Sequence, residues 1–228
     1  MYCSNKGFWV SMLFTLYFFS IKAQDNFIGL WQQTAAVNYK VSPFYLHNFA
    51  LNSRNYLYRD NNLELSARHL DFIHFSNLRV SEGQSIAVGL QYRHREPFDG
   101  GSNELRFTQQ YNINTRPNVV RYGHRVRAQQ RIRSSRTVHR FRYRFSTDFP
   151  LKGEKLDVGE PYLVTNVEKL LSVARQKKPQ YDIRFTVNLG WKLNDRYKFQ
   201  FGVEHRLEDL AQYERHELFL MSRLNLSL

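Results

Sequence analysis

From Gln24 to Leu228 apolar and polar residues alternate with a period of two, and no stretch keeps a 3.6-residue helical period for long. The clearest run places Tyr181, Ile183, Phe185, Val187, Leu189, Trp191 and Leu193 on one face, with Asp182, Arg184, Thr186, Asn188, Gly190 and Lys192 on the other. Successive side chains of a strand point to opposite faces, so this is a strand with one greasy and one wet side. Asn194-Asp195 forms a short turn, after which Tyr197, Phe199, Phe201, Val203 and Leu207 alternate with Lys198, Gln200, Gly202, Glu204 and Arg206, completing a long hairpin. The same pattern predicts strands near 29–41, 44–58, 62–78, 85–95, 103–113, 119–133, 137–149, 161–172 and 214–228. With the hairpin this makes eleven candidates. The least regular part is 43–80, where the faces switch near His69 to Phe72. No linker, low-complexity tract or repeat interrupts the pattern, so residues 24–228 form one hairpin-connected antiparallel domain.

Alternation does not say which face is inside, because a soluble barrel buries its apolar face and an outer-membrane barrel turns it to lipid. Three features favour the second. Many candidate strands run to 11–15 residues, whereas strands of globular sheets have a mode of ~5–6 and a membrane strand needs ~9–11. Tyr181 and Trp191 are ten residues apart, or ~33 Å along a strand. At a tilt of ~45° this projects to roughly 23 Å, close to the ~25 Å apolar band between two aromatic girdles. Finally, Leu218, Leu220, Leu224, Leu226 and Leu228 share one face of the last strand, a form suited to the outer-membrane assembly machinery. The predicted fold is an all-β, antiparallel transmembrane β-barrel of about 10–12 strands, closed by the C-terminal strand. Even parity is expected, so one of the eleven has been missed or invented, between 43 and 80. The competing fold is a secreted soluble β-sandwich that binds an acidic ligand.

Residues 1–23 have the layout of a secretory signal peptide: Lys6 in a polar start, an apolar stretch from Phe8 to Ile21, then Lys22-Ala23. Cleavage after Ala23 would send residues 24–228 to the cell envelope of a Gram-negative bacterium. The partners this implies are export and barrel-assembly machinery and outer-membrane lipid. Composition agrees with a folded chain that has no bundle of membrane helices, since mean hydropathy is -0.56 and aromatic residues reach 15%. The one cysteine, Cys3, lies within the predicted signal, which leaves no thiol for disulfides, zinc sites or catalysis in a cleaved chain.

The formal net charge is +13, and its source is concentrated. Nine arginines and no carboxylate fall between Arg121 and Arg144. With Ser134-Ser135 as the hairpin loop, Arg127 lies opposite Arg142 and Arg125 opposite Arg144, with Arg140 on the same face. Val126, Ala128, Phe141, Tyr143 and Phe145 take the other face. Like charges opposite each other repel, so this ladder needs carboxylates from other strands. Glu104, Glu168, Glu204 and Glu217 alternate onto polar faces and are the candidates. The result is an Arg-rich lumen that either closes on itself as a structural network or offers a path to a small anionic solute, as in a porin-like barrel. Nucleic acid is a poor fit, because the aromatics alternate to the face away from the arginines, whereas a stacking platform mixes them.

The order Asn103-Glu104-Leu105-Arg106-Phe107-Thr108-Gln109-Gln110, Arg125-Val126-Arg127-Ala128-Gln129-Gln130-Arg131, Arg140-Phe141-Arg142-Tyr143-Arg144 and Asn166-Val167-Glu168 resembles the bacterial family catalogued as domain of unknown function 2490. The resemblance runs over roughly 30–228. It implies an outer-membrane β-barrel of unassigned activity and brings no catalytic residue. The residues themselves supply no HExxH, Walker loop, G-x-G-x-x-G or G-x-S-x-G, so no cofactor, metal or catalytic set is predicted. His124 and His139 alternate with the apolar positions of an interfacial girdle. An outer-membrane lipid-modifying enzyme is the alternative, with His205 and Ser222 as its conceivable pair.

Overall fold

The computed structural model describes residues 27–228 apart from Asp99 and Ser102; the predicted signal peptide lies outside the described residues. Each alternating run forms a strand: β1 Phe27–Lys40, β2 Tyr45–Arg59, β3 Asn62–Ser81, β4 Gln84–Arg95, β5 Glu104–Thr115, β6 Arg121–Ile132, β7 Thr137–Pro150, β8 Pro161–Ala174, β9 Gln180–Lys192, β10 Tyr197–Glu208 and β11 Arg215–Ser227. Each pairs with its chain neighbours and the sheet closes on itself, so all its backbone donors and acceptors can be used without a free edge.

Closure corrects the parity expectation. Ten consecutive pairings are antiparallel, but β1 and β11 run parallel, in register from Phe27 opposite His216 to Asn38 opposite Ser227. A parallel ladder joins two edges as an antiparallel one does, and it accommodates an odd number of strands. No strand was missed or invented between 43 and 80. The irregular pattern there comes from bulges: Arg54 pairs with His69 and Asn55 with Ala67, so Arg68 is an extra residue on β3. The bulge brings both Arg68 and His69 to the lumen and shifts the alternation beyond it, which is the face switch seen in the sequence.

Turn chemistry fixes the hairpins. In the 193–196 turn, Asn194 Oδ1 accepts from the backbone N–H groups of Arg196 (2.9 Å) and Tyr197 (2.8 Å), a local side-chain cap that reverses the chain. β1 begins at one rim, here the first rim, which also carries the turns 60–61, 96–103, 133–136, 175–179 and 209–214. β11 ends at the second.

The distribution of side chains is inverted relative to a soluble barrel. Val187 is 52% exposed and Phe141 50%, and Trp31, Phe72, Leu90, Val126, Phe185, Phe201 and Leu224 join them on the outer surface. Inside, Glu217 is 0% exposed and Glu104, Asp71 and Asp182 are each 1%. Two lumen glycines make room for rings: a Cβ on Gly89 would lie 2.4 Å from the Phe75 ring, and one on Gly190 2.4 Å from the Tyr162 ring.

Candidate functional site: an arginine-lined lumen

The lumen holds a cavity of about 1350 Å³ lined chiefly by polar and charged groups. Its two halves differ in charge balance. Toward the first rim the buried acids are ion-paired with arginines. Glu104, at the start of β5, receives Arg95 (3.0 Å) and Arg131 (3.0 Å) together with Arg106 and Arg133. Arg93 forks onto Asp71 with bonds of 2.6 and 2.7 Å, and Asn52 donates to the same carboxylate at 3.1 Å. Arg68 reaches Glu217 (3.0 Å), Arg206 reaches Glu204 (2.5 Å) and Arg215 reaches Glu208 (2.7 Å). Between them Phe219 is fully buried, with Arg206 3.8 Å and Arg54 4.6 Å from its ring centroid. Charges removed from bulk water survive only when paired, and bidentate guanidinium–carboxylate geometry is the strongest form of that pairing.

From mid-barrel toward the second rim arginines outnumber acids, and Asp148, near the rim, is held by Arg121 (2.8 Å). Arg125 lies opposite Arg144 across β6 and β7, and Arg127 opposite Arg142, as the hairpin register predicts. Glu168 on β8 is the carboxylate that meets this group: Arg144 donates to it at 3.0 Å, while Arg184 and Arg142 lie at 3.6 and 3.8 Å. Arg125 has only a neutral partner, Asn112 Oδ1 at 2.9 Å, and Arg127 only Gln110 Oε1, at 3.0 and 2.5 Å. Arg127 also lies 5.3 Å from the Phe75 ring centroid, a contact that the Gly89 notch permits. Arg223 on β11 makes no hydrogen bond or ion pair with any described residue.

The family model described as a protein of unknown function, DUF2490, matches residues 28–217, which runs from β1 into β11. The chain belongs to this family. No curated protein and no solved structure matches it. The functional reading of this DUF2490 barrel therefore rests on its own geometry.

That geometry sorts the sequence-predicted residues. Arg125, Arg127, Arg140, Arg142 and Arg144 all face the lumen. Of the predicted carboxylates, Glu168 alone joins them. Glu104 serves Arg95, Arg106, Arg131 and Arg133 instead, and Glu204 serves Arg206 and Thr186. Arg140 turns to Ser172 Oγ (2.8 Å) and Asp182 (3.7 Å). Sequence reasoning missed Asp71 and Asp182 as partners, and Arg223 as part of the basic group. Asp182 and Arg223 were legible from alternation alone, whereas Asp71 follows a bulge that resets it. His205 and Ser222 are not brought together: His205 lies opposite Leu218 and pairs with His216 (3.2 Å), while Ser222 lies opposite Phe201. His124 faces outward and meets Tyr143 Oη at 2.8 Å.

Proposed function

We propose that this DUF2490 protein is an outer-membrane β-barrel whose lumen favours anions, closed by a salt-bridge network toward one rim and basic toward the other. The observation that carries the reading is the inverted polarity: ionised side chains such as Glu217 and Asp71 are sealed inside while Val187, Phe141 and Leu90 cover the outside. In water such a surface would aggregate; in a bilayer it is the lipid-facing band of a barrel. The strands also suit the role, since each has at least the 12 residues of β4, β5, β6 and β10, enough to cross a hydrocarbon core when tilted. Export by the N-terminal signal and insertion by the barrel-assembly machinery complete the reading, and outer-membrane lipid is then the principal partner.

The charge imbalance carries the anion preference. Arg125, Arg127, Arg144 and Arg223 share one carboxylate, so the field in this half of the lumen attracts small anions and repels cations. Cell fractionation with heat-modifiable gel mobility tests the membrane assignment: the protein should co-fractionate with the outer membrane and migrate faster when unheated. Recovery in the soluble periplasm would refute it.

A further inference from the structure

We propose that Arg125, Arg127, Arg144 and Arg223 form a binding site for one phosphate-class oxyanion, entered from the second rim. The inference rests on the anion-preferring lumen above and specifies its ligand and its residues. It does not depend on the membrane assignment.

Three observations converge. The first is unused donor capacity. Arg125 and Arg144 each commit Nε to a protein acceptor, to Asn112 and Glu168 respectively, and neither has another hydrogen bond among the described residues. Both Nη groups of each are therefore available, and Arg223 contributes its whole guanidinium. Second, neutral acceptors hold the forks in place. Gln110 grips Arg127 through Nε and Nη2, and Gln110 Nε2 in turn donates to Asn112 Oδ1 at 2.9 Å, so the two arginines on β6 are braced by one amide pair on β5. A carboxylate in place of either amide would neutralise the cations. An amide orients them and leaves their charge for a ligand.

The third observation is mutual repulsion. Arg125 feels Arg144, Arg127 and Arg223 as neighbours of its own sign, with Glu168 as the opposing charge, and Arg223 likewise feels Arg144. Four cations around one acid leave an excess positive charge that a multivalent anion relieves and chloride relieves less completely. Planar guanidinium forks match the paired oxygens of phosphate, which selects a tetrahedral oxyanion of charge two over a monovalent ion.

The test is titration of the purified full-length protein with inorganic phosphate at fixed ionic strength, read by calorimetry. Wild type should bind phosphate saturably at one site, and an equal concentration of chloride should give no saturable heat. Arg223→Gln should weaken binding about tenfold or more, in line with loss of one charge-assisted partner. Arg223→Lys should fall between wild type and Arg223→Gln, since it keeps the charge and loses the fork that meets the oxyanion. Lys169→Gln, which removes an outward-facing cation, should bind as wild type does. Arg223 makes no hydrogen bond or ion pair with a described residue, so its variants should fold, and circular dichroism checks this.

Competition separates the sources of phosphate. Glycerol phosphate, which can enter the lumen, should displace inorganic phosphate, and phosphatidylglycerol in mixed micelles should not. Absence of saturable binding, indifference to Arg223→Gln, or displacement by the lipid alone would overturn the site. The membrane assignment fails separately, through fractionation: a soluble protein that binds phosphate loses the membrane and keeps the site, whereas a membrane protein that does not bind keeps the membrane and loses the site.

Discussion

Arg125 and Arg144 face each other directly across β6 and β7, and of the two only Arg144 touches a carboxylate. A cross-strand pair of like charges is unfavourable in any sheet and more so where water is limited. It persists here because the lumen is divided into a compensated half, where the arginines act as structure, and an uncompensated half, where they remain available as charge.

The compensated half should be intolerant of losing an acid. Glu104→Gln would leave Arg95, Arg106, Arg131 and Arg133 around a neutral amide, so unfolding should require about 3–5 kcal/mol less than in wild type. Urea unfolding followed by tryptophan fluorescence measures this. Glu168→Gln should cost less, about 1.5–3 kcal/mol, because Arg144 stands beside the accessible part of the lumen. In planar-bilayer recordings any conductance of Glu168→Gln should be more anion-selective than that of wild type, and Arg127→Glu with Arg142→Glu should reverse the preference.

Phe219 should behave as a core residue of this half. Its ring is fully buried between Arg54 and Arg206, and truncation to Ala removes both cation–π contacts and opens a cavity. A loss of about 3–5 kcal/mol is expected from the same unfolding curves.

Gly89 should resist the smallest enlargement. A Cβ there would meet the Phe75 ring at 2.4 Å, so Gly89→Ala should destabilise by about 1–3 kcal/mol and displace the ring that Arg127 covers. Adding Phe75→Leu should recover part of that loss, which a double-mutant cycle would read as coupling.

Much of this was legible in the sequence. Strict alternation, as from Tyr181 to Leu193, locates strands and their faces because the side-chain period is fixed by the backbone, and the Ser134-Ser135 loop sets the Arg125–Arg144 and Arg127–Arg142 register. What alternation cannot carry is any extra residue or any relation between distant strands. The bulge at Arg68 hid Asp71, and closure of β1 on β11 in parallel joins segments nearly two hundred residues apart for which no local turn speaks. Glu104 was legible as a partner of the 121–144 run, whose Arg131 and Arg133 reach it, but not as one shared with Arg95 on β4 and Arg106 on β5 rather than with Arg125 to Arg144. Gly89 and Gly190 gave no signal because their role is to leave space for a ring on another strand.

Depth dependence follows from a lipid-facing outer surface. Val187 lies midway along β9, and Leu193 lies just beyond its end in the turn at the second rim. Val187→Arg should cost about 2–4 kcal/mol and Leu193→Arg about 0–1 kcal/mol, because an arginine near the interface reaches water. The wet-side residue Asn188 is no neutral control, being 7% exposed with its Oδ1 2.3 Å from where a Cβ on Gly202 would stand.

The claim that the apolar outer surface faces lipid is tested most directly by placing a thiol at Val187, in a chain whose native cysteine is Cys3 alone. In intact membranes Val187→Cys should react with a membrane-partitioning maleimide and resist a charged, water-borne one, while Arg127→Cys in the lumen should show the opposite preference. Rapid labelling of Val187→Cys by the charged reagent, or protection from both reagents until unfolding, would contradict a lipid-facing barrel.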